Sequence, residues 1–205
     1  MLKAVIFDLC GPLIKIDVNL IDKKLHALGV KSATGYHDLH DAGLIKLYDA
    51  GLSAPEEFAL RARTILGQEL TDEALWTAWN VVVTDFDVRH VATLQRLRER
   101  GIKTFLLSNS DVVNAGYFCD FMNDRAGFDF CKECFDALFF SYQLGCRKPD
   151  KEIFDKVLER IGLEAAEVLF VDDSRKNCAA AELLGLQTHY LADGEEIEDI
   201  ELLQV

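Results

Sequence analysis

Val5-Ile-Phe-Asp-Leu-Cys-Gly-Pro-Leu-Ile14 (VIFDLCGPLI) is an apolar run interrupted by one carboxylate, Asp8, with Cys10 and Gly11 just beyond it. Residues 2–8 read as a buried strand that ends at Asp8. In open α/β sheets, ligands bind at the carboxyl edge of the strands. Taken alone, Asp8 reads first as a turn cap. Three more polar signatures stand at the ends of later predicted strands: FLLSNS (105–110), CRKPD (146–150) and VLFVDDSRKN (168–177). Four such ends on one sheet edge make a phosphoryl-transfer site the leading reading.

Outward from this run, strands and helices alternate. Strands are predicted at 103–108, 136–141, 168–172 and 187–191. Between them Val88, Val91, Leu94 and Leu97 recur at helical spacing after Asp87, a candidate N-cap, and stop at Gly101. Ile153, Phe154, Val157, Leu158 and Ile161 form a second stripe, ended by Gly162, and Arg175–Leu184 a third helix, ended by Gly185. The alternation predicts an α/β fold with a doubly wound parallel sheet. Residues 17–86 read as helical throughout, with capping signals at Ser53-Ala-Pro-Glu56 and at Thr71. That stretch is too long for a crossover and reads as an inserted all-α unit. Residues 111–135 are mixed in pattern and receive no assignment.

The chain has 205 residues, half of them apolar, with 13 Gly and 3 Pro, which describes a globular chain able to bury a sizeable core. Its formal net charge of −13 argues against nucleic acid or an anionic membrane as partner, because both need a basic footprint. No run reaches the ~18 apolar residues of a membrane span, and MLKAVIFD lacks the features of a signal peptide. The expected setting is a reducing cytoplasm, with Cys10, Cys119, Cys131, Cys134, Cys146 and Cys178 as thiols. Four of these lie within residues 119–146, so a zinc site is an open alternative to buried thiols.

Each signature has a chemical role and a plainer one. Asp8 can attack phosphorus as a carboxylate nucleophile. Ser108 and Asn109 can hold a phosphoryl oxygen, or simply start a helix. Lys148 can offset charge on the transferring group, or stand solvated before a helix capped by Asp150. Asp172 and Asp173 repel each other at a buried strand end and call for a cation; oxygen ligands of this kind suit Mg²⁺. His37, His40 and Asp41 offer acid–base groups or an ordinary polar helix surface. Tyr48, Trp76 and Trp79 read as core of the helical unit.

The set VIFD, LLSNS, RKPD and FVDD, in this order, resembles the haloacid dehalogenase-like hydrolase superfamily across the whole chain. The resemblance implies a Rossmann-like core (residues 1–16 and 89–205) with a helical cap (17–88). It implies Asp8 as nucleophile and metal ligand, Ser108 and Lys148 as phosphoryl-binding groups with Asn109 beside them, and Asp172 and Asp173 as further Mg²⁺ ligands. The carbonyl of Cys10 completes that ligand set, and Asn177 braces the acidic loop. The expected substrate is a small phosphorylated metabolite, a sugar phosphate first, handled by a monomer or homodimer.

Cys10 departs from the family pattern. Phosphatases of this kind normally carry a second Asp there, which protonates the leaving oxygen and later activates water. The sequence LGCRKPDKEIF…VLFVDDSRKN is most similar to the subgroup with an Asp-x-Gly first motif, the sugar-1-phosphate phosphatase-like members, which also lack that Asp. A non-catalytic phosphate-binding protein and a metal-free dehalogenase remain the alternatives.

Overall fold

In the computed structural model, which describes residues 2–204, five parallel strands form the centre of the molecule. In chain order the elements begin with β1 (Ala4–Phe7) and β2 (Ile14–Ile16). Five helices follow: α1 (Asn19–Ala27), α2 (Gly35–Asp41), α3 (Leu44–Asp49), α4 (Pro55–Leu66) and α5 (Asp72–Asn80). Next come β3 (Val83–Phe86), α6 (Arg89–Glu99), β4 (Lys103–Ser108), α7 (Val112–Ala126), α8 (Phe130–Cys134) and β5 (Ala137–Phe140). The chain continues through α9 (Ser141–Leu144), α10 (Lys151–Ile161), β6 (Val168–Asp172), α11 (Arg175–Glu182), β7 (Gln187–Tyr190) and α12 (Glu201–Gln204).

The sheet order is β5-β4-β1-β6-β7, with Ile6 opposite both Phe105 and Phe170. Alternation along the strands divides the core into two layers. Val5, Phe7, Leu106, Leu169 and Val171 face α6, α7 and α8, and this layer continues without a break into the helices between β2 and β3. Ala4, Ile6, Phe105, Leu107, Val168 and Phe170 face α10 and α11. Phe154 of α10 meets Phe170 edge-on, with ring centroids 5.3 Å apart. Burying a side chain of this size contributes roughly 1.5–3 kcal/mol.

The predicted strands at 103–108 and 168–172 match β4 and β6 in full, and the other three differ by a few terminal residues. The uniformly helical reading of 17–86 fails at its end. Val83–Phe86 is a strand, paired antiparallel with β2 as a two-stranded ribbon at the stem of the helical stretch. Each arm is short and carries a charge at its centre or edge, Lys15 and Asp85, so neither shows strand periodicity. The unassigned stretch 111–135 resolves into α7 and α8, each with an Asp N-cap: Asp111 accepts from the Val113 and Asn114 N–H groups, and Asp129 from that of Lys132.

The capping expectations divide. Thr71 caps α5 through the Ala74 N–H. Ser53 does not cap α4: Ala54 is the N-cap, and Pro55 opens the helix. Asp87 accepts from the Arg89 N–H at 2.8 Å, but the N-cap of α6 is Val88, and the Asp150 side chain makes no capping bond to α10.

Candidate active site

Asp8, Ser108 and Asp172 stand at the carboxyl ends of the three central strands β1, β4 and β6, and Lys148 reaches the same point from the loop before α10. Lys148 is 2 % exposed, and its Nζ lies 2.7 Å from Asp8 Oδ1 and 2.8 Å from Asp172 Oδ2. Asp8 Oδ1 also accepts from the Leu9 N–H. Burial pulls the pKa of Lys148 down, but Asp8 and Asp172 outweigh it and hold the ammonium charged, with its pKa above the ordinary value. Burial lifts the Asp8 carboxyl to about 7 against the pull of Lys148, with the charge of Asp172 adding to the rise. Two buried carboxylates around one ammonium leave an excess of negative charge, which a bound cation would offset.

Asp173 supplies the third carboxylate. Oxygen atoms of Asp8, Asp172 and Asp173 lie within 4.8 Å of one another, the one cluster of metal-ligating side chains among the described residues. All three are hard oxygen donors, a set that fits Mg²⁺. Gly11 permits the approach of Asp173: at φ +102°, a Cβ there would stand 2.3 Å from Asp173 Oδ2. Asn177 donates to both carboxylate oxygens of Asp172 at 3.0 Å and fixes that side chain's orientation.

Ser108 Oγ is buried with no hydrogen-bond partner among the described residues, and it borders the cleft above Asp8. An unpaired hydroxyl in that place is ready for an incoming oxygen. Asn109 also borders the cleft, and its amide is already engaged: Nδ2 donates to the Lys148 carbonyl at 2.9 Å, and Oδ1 accepts from the Lys148 N–H at 2.8 Å. The side chain of Asn109 therefore fixes the loop that carries Lys148. The Lys148–Pro149 peptide bond is cis.

The cleft holds about 580 Å³. Tyr36 of α2 and Asp49 of α3 line it from the helical stretch, Lys15 and Arg147 add positive charge, and residues 190–195 form the far side. Arg147 lies 3.5 Å from Asp49. None of Tyr36, Asp49, Lys15 and the 190–195 segment is singled out by a sequence motif. Arg147 was legible in principle, one residue before Lys148.

Other expected groups lie elsewhere. His37 is exposed and pairs with Asp22 at 3.6 Å; His40 and Asp41 are exposed and pair with each other. Tyr48 stacks on Phe58 at 4.3 Å, with Trp76 and Trp79 around the same ring, as a helical core. The zinc alternative is overturned: Cys131 and Cys134 are buried on one side of the sheet, with Cys119 packed against that layer, while Cys146 is buried on the other. All six cysteines are free thiols. The Cys10 thiol is pushed well above its ordinary range, by burial first and then by Asp8.

Compared with known proteins, residues 2–185 match the haloacid dehalogenase-like hydrolase family. The chain belongs to that family. A D-ribitol-5-phosphate phosphatase of Bacteroides thetaiotaomicron is 30% identical over 200 residues, covering 96% of this chain and 95% of the relative. A sesquiterpene phosphatase of Aspergillus oryzae is 33% identical over 107 residues, about half of each chain. Among solved structures, a haloacid dehalogenase family enzyme of B. thetaiotaomicron, in complex with magnesium and inorganic phosphate, superposes with a TM-score of 0.87 at 28% identity, covering 96% of this chain and 98% of that one. An L-2-haloacid dehalogenase superposes with a TM-score of 0.65 at 20% identity and shares the fold. Family members of this kind are hydrolases on a Rossmann-like parallel sheet, which the order β5-β4-β1-β6-β7 reproduces. No described helix is long and apolar enough to cross a membrane.

Proposed function

We propose that this family member is a Mg²⁺-dependent phosphatase that hydrolyses a small phosphate monoester, with a sugar or sugar-alcohol phosphate as substrate. The observation that carries the reading is the buried Lys148 held between Asp8 and Asp172, with Asp173 beside them. A metal-free attack on carbon has no use for three clustered carboxylates. The similarity to a D-ribitol-5-phosphate phosphatase along nearly the whole chain supports a polyol phosphate, and a cleft of about 580 Å³ has ample room for one.

Asp8 attacks the phosphorus in line, and its Oδ becomes the bridging atom of an aspartyl-phosphate. Lys148 stands against the equatorial oxygens, and the free Ser108 hydroxyl donates to one of them. Asp8, Asp172, Asp173 and the Cys10 carbonyl would hold Mg²⁺, which when bound offsets charge on the phosphoryl group. Asn177 and Asn109 keep Asp172 and Lys148 in place. Residues 17–88 act as a cap: Tyr36 and Asp49 close the cleft from above and exclude bulk water, and the cap reads the rest of the substrate. Six free thiols suit a reducing, cytoplasmic setting.

The test is phosphate release across a panel of sugar and sugar-alcohol phosphates, D-ribitol 5-phosphate among them, with and without EDTA and beside Asp8→Asn. Release that needs Mg²⁺ and disappears in Asp8→Asn is expected. Absence of release by a folded protein, or chloride release from chloroacetate without metal, overturns the reading.

A further inference from the structure

Cys10 supplies no carboxyl at the place where a second Asp would serve, so the proposed reaction lacks a proton carrier among the motif residues. We propose that Asp49, from the helical cap, gives a proton to the departing alkoxide and takes one from the hydrolytic water. The inference rests on the phosphatase reading above.

Position is the first argument. Asp49 ends α3, is about nine-tenths buried, and borders the cleft together with Cys10, Tyr36 and Asn109. The same four residues border a small cavity of about 90 Å³ directly behind. The carboxylate thus lies in the wall on the Cys10 side. Other carboxyls on the cleft outside the three-Asp cluster are Asp193, which is exposed, and Glu195, which is occupied by His189 and the Ala192 N–H.

Fixation is the second. Ser141 Oγ donates to the Asp49 carbonyl at 2.5 Å and accepts from the Ser110 N–H at 2.9 Å. The end of α3 is thereby tied to the loop that follows Ser108. Two residues on, Gly51 packs so tightly on the Tyr142 carbonyl that a Cβ would stand 2.1 Å from it. A cap residue held in this way keeps a set distance from the reacting centre, as proton transfer demands.

Surroundings are the third. Arg147 faces Asp49 from the core, Tyr36 from α2, Cys10 from the loop after β1 and Asp111 from the start of α7. Burial pushes the carboxyl up to about 7 against the pull of Arg147.

Asp8 forms a bond to phosphorus as the P–O bond to the alcohol breaks, and the Asp49 proton goes to that alcohol oxygen. Asp49, now a carboxylate, takes a proton from water as the water oxygen attacks phosphorus and the bond to Asp8 breaks. Alcohol and inorganic phosphate leave, and Asp49 is protonated again.

The experiment compares D-ribitol 5-phosphate with 4-nitrophenyl phosphate, whose leaving group needs no proton. Asp49→Asn is expected to lower kcat/KM about a hundredfold or more on the alkyl substrate and less than about tenfold on the aryl one. The aryl substrate then gives a burst of about one nitrophenolate per enzyme, because the aspartyl-phosphate accumulates. Adding Cys10→Asp to that variant restores alkyl turnover by about tenfold or more. Equal losses on both substrates without a burst, or no loss on the alkyl one, overturn the proposal. The unaltered enzyme gives an arm independent of folding in the variant. Its kcat/KM falls with rising pH for the alkyl substrate and not for the aryl one, and parallel profiles overturn the proposal. An unaltered enzyme that releases phosphate from neither compound refutes the phosphatase reading, and this inference with it.

Discussion

Gly51→Ala tests how the helices between β2 and β3 are seated on the sheet and its flanking helices. Gly51 has φ +66°, in the left-handed region, where an Ala pays roughly 1–2 kcal/mol. Its Cβ would stand 2.1 Å from the Tyr142 carbonyl, a backbone atom that cannot rotate aside. Relief requires α3 and α9 to part, which breaks the buried Ser141–Asp49 bond of 2.5 Å and leaves its groups unpaired, at about 1–3 kcal/mol. The sum is about 2–5 kcal/mol. Gly67→Ala is the control, because Gly67 has φ +60° but nothing within 4 Å of the added Cβ. It should lose only the conformational part, about 1–2 kcal/mol. Urea unfolding of the three proteins gives the comparison through the shift in midpoint at constant slope. The expected gap between the two variants is about 2 kcal/mol, or roughly 4–8 °C in Tm for a chain of this size. Equal losses within about 0.5 kcal/mol would refute the close approach as the source of the effect.

Magnesium should raise the Tm of the unaltered protein, with a gain of about 2.7 kcal/mol at a hundredfold excess over Kd; Asp173→Asn should flatten that response in a thermal-shift titration. Trp79→Phe removes the 2.8 Å bond from Nε1 to Asp111 Oδ2 and should cost about 1.5–3 kcal/mol in urea unfolding, since a buried carboxylate loses its donor. Glu198→Gln addresses acid stability. Burial raises the Glu198 carboxyl, but the His90 ring 3.0 Å away outweighs it and holds the pKa below its ordinary value of 4.5. A depressed acid contributes stability that is present above its ordinary pKa and lost as pH falls through and below it. The stability gap between the unaltered protein and Glu198→Gln, measured by urea midpoints, should therefore shrink as pH drops below 4.5; a gap that persists contradicts the assignment.

The central strands β1, β4 and β6 were legible because each is a dense apolar run with a polar residue at or just past its end, as in VLFVD, and burial on both faces leaves no other use for such a run. The residues gathered around Lys148 share that origin, since each follows a strand end and the topology brings those ends together. What stayed hidden depends on distant pairing. The ribbon of β2 and β3 joins residues about seventy positions apart, and neither arm carries a period of its own. Asp49 shows the same limit at the site. In sequence it is one more acid at a helix end, and only the docking of α3 on α9 turns it towards Cys10's side of the cleft. The histidines at 37 and 40, chemically better placed on paper, face solvent because the buried face of α2 is given to Gly35 and Leu39.

Both tryptophans of the chain, Trp76 and Trp79, sit on α5 within one aromatic stack. Intrinsic tryptophan emission therefore reports on the helical unit and on its seam with α7, where Trp79 bonds Asp111, while far-UV dichroism averages over every helix and strand. Following one unfolding transition by both methods tests the proposed division into cap and core without a label. Coincident curves mean that cap and core melt as one cooperative unit, and an earlier emission change means that the cap loosens first.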